Sequence, residues 1–133
     1  MIPDTHVDIL DSLAMWHVAT IGPGGEPQSS PVWIGWDGTR IRFSNLTTRQ
    51  KYRNLHADPR VALSATHPDD AYRYLEVRGR VVAFEPDPDG EFIDSMAAKY
   101  QGKPRFEGHR TPATRCTIVV EPLHATTMGG PPD

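Results

Sequence analysis

Arg49 and Lys51 stand two residues apart, directly behind Thr47 and Thr48, in the stretch Phe43-Ser44-Asn45-Leu46-Thr47-Thr48-Arg49-Gln50-Lys51-Tyr52-Arg53-Asn54-Leu55. Alternation in Arg40-Ile41-Arg42-Phe43 predicts a strand that ends here. Thr47 or Thr48 can then cap a helix by accepting hydrogen bonds from backbone N–H groups left free at its start. That helix is expected to run to about His56 and to stop before Asp58-Pro59. Positive side chains in a first helical turn oppose the macrodipole, which favours anions at that end. A bound phosphate removes the conflict: N–H groups, threonine hydroxyls, a guanidinium and an ammonium all converge on it. The competing reading is a solvated basic face that touches nothing.

The other reactive residue types form weaker patterns. The histidines at 6, 17, 56, 67, 109 and 124 show no ligand spacing such as H-x-x-x-H, so no metal site is expected. Cys116 has no internal disulfide partner and lies in the apolar run Arg115-Cys116-Thr117-Ile118-Val119-Val120, which predicts a buried structural thiol. Gly22-Pro23-Gly24-Gly25 lacks the helix and lysine of a phosphate-cradling loop and reads as a turn. Asp69-Asp70 reads as a solvated loop. Trp33 and Trp36, with Met15 and Trp16, fit either an apolar bay for a flat substrate or core and interface packing.

The elements that position these residues follow from local pattern. Residues 3 to 14 predict a short amphipathic helix carrying Val7, Leu10 and Leu13 on one face. Strands are expected over 15–21, 28–36 and 40–44, joined by the turn at 22–27 and the Asp37-Gly38 hairpin signal. A fourth covers 60–66 and a fifth runs from Tyr72 or Tyr74 to Phe84, with Gly79 marking a bulge, a bend or a close approach. After Pro86-Asp87-Pro88-Asp89-Gly90 a helix over 91–100 turns Phe92, Ile93, Met96 and Ala97 inward. Residues 101 to 113 predict an irregular, mobile loop, 115 to 123 a last strand, and 128 to 133 a loose tail.

With 133 residues, 38% of them hydrophobic, the chain fits a single domain spanning 1–133. Six short strands with hairpin links and two or three helices predict a mainly β fold, a six-stranded antiparallel barrel, because closure removes exposed sheet edges. An open sheet packed on helices is the alternative. So short a barrel has little interior room, which places a large ligand on its outer wall, between two subunits. A net charge of −3 argues against nucleic acid as the main partner. No apolar run reaches roughly 18 residues and no signal-like start is present, so no membrane partner and a cytoplasmic location are expected. The excess of arginine over lysine, eleven to three, points weakly to a GC-rich bacterial genome such as an actinobacterial one.

These segments, in this order, resemble the split β-barrel flavin and deazaflavin oxidoreductases, the pyridoxamine 5′-phosphate oxidase-like superfamily with its FMN-binding-protein-like fold. The resemblance rests on His17-Val18-Ala19-Thr20-Ile21, on Gly25 through Trp33, on Ser44 through Leu55 followed by Asp58-Pro59-Arg60-Val61, and on Tyr74 through Val81. It covers most of residues 15 to 85 and is nearest to the branch that uses coenzyme F420. It implies that Thr48, Arg49 and Lys51 hold the cofactor phosphate, and that Gln28, Ser30, Pro31, Val32, Ser44, Asn45 and Leu46 meet the edges of the tricyclic ring. It also implies a homodimer with the cofactor at the subunit interface, where Tyr72, Tyr74 or the 101–113 loop of the second subunit would finish each site; Trp33, from its aromatic character, is a further candidate to border the substrate.

FMN shares the tricycle, ribityl chain and phosphate and is the alternative cofactor. The longer C-terminal part that contacts pyridoxal phosphate in a true pyridoxamine phosphate oxidase is missing, so vitamin B6 oxidation is not expected. The function implied is F420-dependent hydride transfer to a small unsaturated organic acceptor. The alternatives are an FMN-binding oxidoreductase, or a non-catalytic F420-, flavin- or haem-binding protein. The cofactor carries the reaction, so no catalytic side chain is named; Tyr72, Tyr74, His67, His109 or water can deliver a following proton.

Overall fold

The computed structural model describes residues 1–108 and 114–132. One antiparallel sheet orders its strands β2-β1-β5-β6-β7-β4-β3. These are β1 (Trp16–Ile21), β2 (Pro27–Val32), β3 (Gly35–Trp36), β4 (Ile41–Leu46), β5 (Arg60–His67), β6 (Asp70–Pro86) and β7 (Arg115–Met128). The helices among the described residues are α1 (Asp8–Asp11), α2 (Gln50–Ala57) and α3 (Glu91–Gln101).

Side chains alternate across a strand, so the period-two pattern decides which face closes on the core. Ile41 and Phe43 of β4, Val61, Leu63 and Ala65 of β5, and Leu75, Val77 and Val81 of β6 turn inward. They meet Trp16, Val18, Ile118, Val120, Ile9, Leu10 and Leu55 in one apolar cluster. β6 bends where its register against β7 shifts between Arg78 and Gly79. A Cβ at Gly79 would lie 2.3 Å from the Glu121 carbonyl oxygen, so only glycine lets the two backbones approach there. The sheet therefore curls into a barrel, but among the described residues its end strands β2 and β3 do not pair with each other. The barrel stays split along that line.

The fold class is that expected, with seven strands in place of six. The predicted strand over 28–36 divides because the backbone of Ile34 leaves the ladder for α3. Its N–H donates to Tyr100 Oη (3.2 Å) and its carbonyl accepts from Lys99 Nζ (2.9 Å). The expected helix over 3–14 shortens to Asp8–Asp11, since Ser12 Oγ donates to Ile9 O and accepts from Ala14 N, and Leu13 is left exposed.

β7 runs on to Met128, whose carbonyl is bonded by buried His6 Nε2 at 2.9 Å. Gly130 O accepts from Arg73 Nε at 2.7 Å, and the same guanidinium grips Asp8 and Thr5 O. The chain is thus tied down as far as Gly130. Among the described residues no helix is long and apolar enough to cross a membrane.

Candidate functional site

The split is where the chemistry gathers. β2 pairs with β1 along one edge, and β3 pairs with β4 only at Ile41 and Arg42, so strand edges near residues 27–32 and 43–46 stay unladdered among the described residues. A groove of about 660 Å³ runs there. β2 contributes Gln28, Ser30, Pro31 and Val32, and β4 contributes Ser44, Asn45 and Leu46. Arg49, Gln50 and Lys51 enter from the start of α2, and Met15, Trp33, Ile93, Met96, Phe106 and Arg115 complete the walls.

α2 begins one step later than expected. Arg49, extended at φ −80° and ψ 149°, takes the N-cap position, and neither threonine caps the helix. Thr47 N donates to Thr114 O (2.7 Å), and Thr48 is exposed, its carbonyl taken by Arg53 Nη1 (2.8 Å). The first turn holds no acid and no side-chain cap, which leaves its N–H groups available to an anion. Lys51 Nζ donates to Ser30 Oγ at 3.0 Å across the groove. Burial, and then the Arg49 charge, push the Lys51 pKa below its ordinary 10.5, so its charge is held in a poorly solvated place.

Asn54 bolts this helix to the sheet. Its Nδ2 donates to Thr20 Oγ1 (3.0 Å) and Gln28 Oε1 (3.3 Å), while its Oδ1 accepts from Gln50 Nε2 (2.7 Å). With its oxygen engaged, Gln28 has its amide NH2 left to offer the groove. Asn45 is 5% exposed, and its Nδ2 has no hydrogen-bond partner among the described residues. A buried donor without an acceptor is costly, and one on the wall of a groove fits a ligand that supplies the acceptor.

The apolar wall comes from α3. Asp87 caps it, accepting from Phe92 N and Ile93 N at 3.2 Å each, and Ile93, Met96 and Ala97 are buried. Lys99 Nζ also reaches Leu10 O, and Tyr100 Oη donates to Ala14 O, so the helix is fixed against the first residues of the chain. Trp33 stacks on Tyr100 with ring centroids 5.3 Å apart and meets Phe106 edge-on at 6.0 Å. The Arg115 guanidinium lies 5.2 Å over the Phe106 ring, and its Nη1 donates to Ser44 Oγ at 2.9 Å.

Every residue expected to meet a cofactor lines this groove except Thr48. Trp33 joins them, whereas Tyr72 and Tyr74 do not. Tyr72 is 82% exposed, and Tyr74 borders a second groove on the outer sheet face with His17, Ser64, Glu76 and Arg78. Met15 borders both grooves. Trp16 is a core residue and Trp36 packs against the core. His67 Nε2 stands 3.6 Å from Asp8, and His109 lies outside the described residues.

Ile93, Met96, Gln50 and Arg115 were not expected at the site, and Phe106 belongs to the 101–113 loop expected to finish it from a second subunit but lines the groove of its own chain. The signal for Arg115 was a charge opening an otherwise apolar strand. Cys116 is buried, and desolvation, with Glu85 and Asp87 nearby, raises its thiol pKa to about 11, which leaves it unreactive at neutral pH.

The described lining includes the cations Arg49, Lys51 and Arg115 and no carboxylate. Amide donors, hydroxyls and flat apolar side chains fill the rest. Fold and groove together define a split β-barrel protein with a cation-lined groove along its open edge. The sequence model of the pyridoxamine 5′-phosphate oxidase family matches residues 2–129, and the chain belongs to that family. A solved structure described as an F420 reductase is 42% identical, with a TM-score of 0.88, over 94% of this chain and 98% of the other.

A conserved hypothetical protein of Mycobacterium tuberculosis shares the fold at 20% identity and a TM-score of 0.75, over 96% of this chain and 85% of that one. So does General Stress Protein 26 of Bacillus anthracis, at 12% and 0.72, over 96% and 93%. A comparison with curated proteins found no match.

Proposed function

We propose that this chain is an oxidoreductase that uses the deazaflavin coenzyme F420, held in the groove, to pass a hydride to a small unsaturated organic acceptor. The observation that carries the reading is the groove itself, where Arg49 and Lys51 stand at the uncapped start of α2 and no described carboxylate opposes them. The 42% identity to a structure described as an F420 reductase supports the choice of coenzyme. The unpartnered Asn45 amide fits a ligand whose ring edge carries acceptor atoms.

When bound in its reduced form, F420 supplies the hydride. The chain supplies binding, orientation and exclusion of water. Arg49 and Lys51, with the first-turn N–H groups, would hold the phosphate. Gln28, Ser30, Ser44 and Asn45 would fix the ring edge, and Met15, Pro31, Val32 and Trp33 would shield it from solvent. A second copy laid on the outer sheet face, where Met15 joins the two grooves, would complete the site, and that dimer belongs to the proposal.

The same donor set serves FMN. Titration of the purified protein separately with F420 and FMN tests the assignment. A preference for F420 of about a hundredfold, near 2.7 kcal/mol, is expected. An equal preference for FMN would make this a flavin enzyme, and failure of both to bind would refute the reading.

A further inference from the structure

Two groove-lining side chains, Met15 and Trp33, are next in sequence to residues that one hydroxyl holds. Tyr100 Oη donates to Ala14 O at 3.0 Å and accepts from Ile34 N at 3.2 Å, so a single atom joins the backbone before Met15 to the backbone after Trp33. The Tyr100 ring also stacks on the Trp33 indole, with centroids 5.3 Å apart and planes 8° from parallel. Tyr100 itself is not among the residues that line the groove. We propose that Tyr100 is a positioning residue of the coenzyme site, holding Trp33 and Met15 in the places from which they cover the bound ring; this rests on the coenzyme reading above.

Trp33 and Ile34 fall between β2, which ends at Val32, and β3, which starts at Gly35, so no strand ladder sets the direction of the indole. Tyr100 sets it instead. Lys99 Nζ secures the Ile34 carbonyl from the same helix, and Asp87 caps that helix, so the clamp is carried by a regular element and not by a loop. Burial raises the Tyr100 pKa above its ordinary 10.0, so the hydroxyl keeps its proton, and with it the bond to Ala14 O, through the neutral range. An aromatic side chain that is already fixed loses little rotamer freedom when a flat ring lies against it.

Fluorescence titration with F420 and acrylamide quenching of tryptophan emission test this on the purified protein. Tyr100→Leu removes ring and hydroxyl and should weaken F420 binding about tenfold, whereas Tyr100→Phe, which keeps the ring on Trp33, should lose about threefold. Without ligand, Tyr100→Leu should shift tryptophan emission to the red and raise its quenching, and Tyr100→Phe should do so less. In a Trp33→Leu background the Tyr100→Leu change should alter affinity less than about threefold and leave the emission unmoved, while its lowering of the urea midpoint persists.

A lower urea midpoint with F420 affinity unchanged would make Tyr100 a structural residue only and overturn the proposal. So would an affinity loss of equal size with and without Trp33, or an emission spectrum that Tyr100→Leu leaves as in wild type. Should Tyr100→Leu fail to fold, Tyr100→Phe decides by the same comparison in the two backgrounds. If wild type does not bind F420, the coenzyme reading fails by itself, and the emission and quenching measurements still judge whether Tyr100 holds Trp33.

Discussion

Replacing Asn54 by alanine probes the link between fold and site. Asn54 is 2% exposed and joins α2 to Thr20 of β1 and Gln28 of β2, while holding Gln50 on its own helix. A typical intramolecular hydrogen bond contributes about 0.5–1.5 kcal/mol net, and a stranded buried group costs about 1–3 kcal/mol. Thr20 Oγ1 retains Gln28 Oε1 at 3.5 Å, so its hydroxyl is not stranded. Gln50 is half-buried and keeps its bond from Arg53.

Two lost bonds to the sheet, with a small void, thus predict a loss of about 2–3 kcal/mol. Urea unfolding should show a lower midpoint at unchanged slope. Coenzyme affinity should fall several-fold as well, because Gln28 and the α2 start lose their anchor. A loss under about 1 kcal/mol would mean that the packing of Leu55 alone holds the helix. Lower stability with unaltered affinity would refute the link between this network and the groove.

Arg49→Ala and Lys51→Ala should each weaken coenzyme binding by about 1.5–3 kcal/mol in a fluorescence titration, and unchanged affinity in both would move the phosphate elsewhere. The Lys51 pKa is depressed in the folded chain, so the unfolded chain binds more protons as pH rises from that lowered value toward 10.5. The destabilisation from this lysine is therefore full below its folded pKa and lifts above it, and coenzyme binding should weaken over the same rise. Lys51→Arg should flatten the dependence of affinity on pH as it rises toward 10.5, measured by titration at each pH. Gly79→Ala pushes a methyl group onto the Glu121 carbonyl and should destabilise by about 2–3 kcal/mol in urea, with a near-neutral result ruling out the tight approach of β6 and β7.

What the sequence determined by itself was local. Alternation in β4, β5 and β6, the Gly-rich turn after Ile21 and the Asp37-Gly38 hairpin mark strands and their ends, since each signal lies within a few residues of what it controls. The cationic start of α2 was visible for the same reason, because Arg49 and Lys51 stand two residues apart at the helix start. The cap was misplaced because Thr47 N goes to Thr114 O, a bond that no local pattern announces.

The other side of the groove was decided only by tertiary structure. Arg115 reaches Ser44 because β7 lies beside β4, and Trp33 meets Phe106 because Lys99 and Tyr100 pull α3 onto Ile34 and the residues before β1. Ile34 breaks its strand for those bonds, a competition between ladder and side chain that only the assembled fold resolves. Sequence fixes which residues can carry charge or apolar surface. Where two distant segments face one ligand is set by the closing of the sheet, whose free energy comes from the shared core and not from the residues of the site.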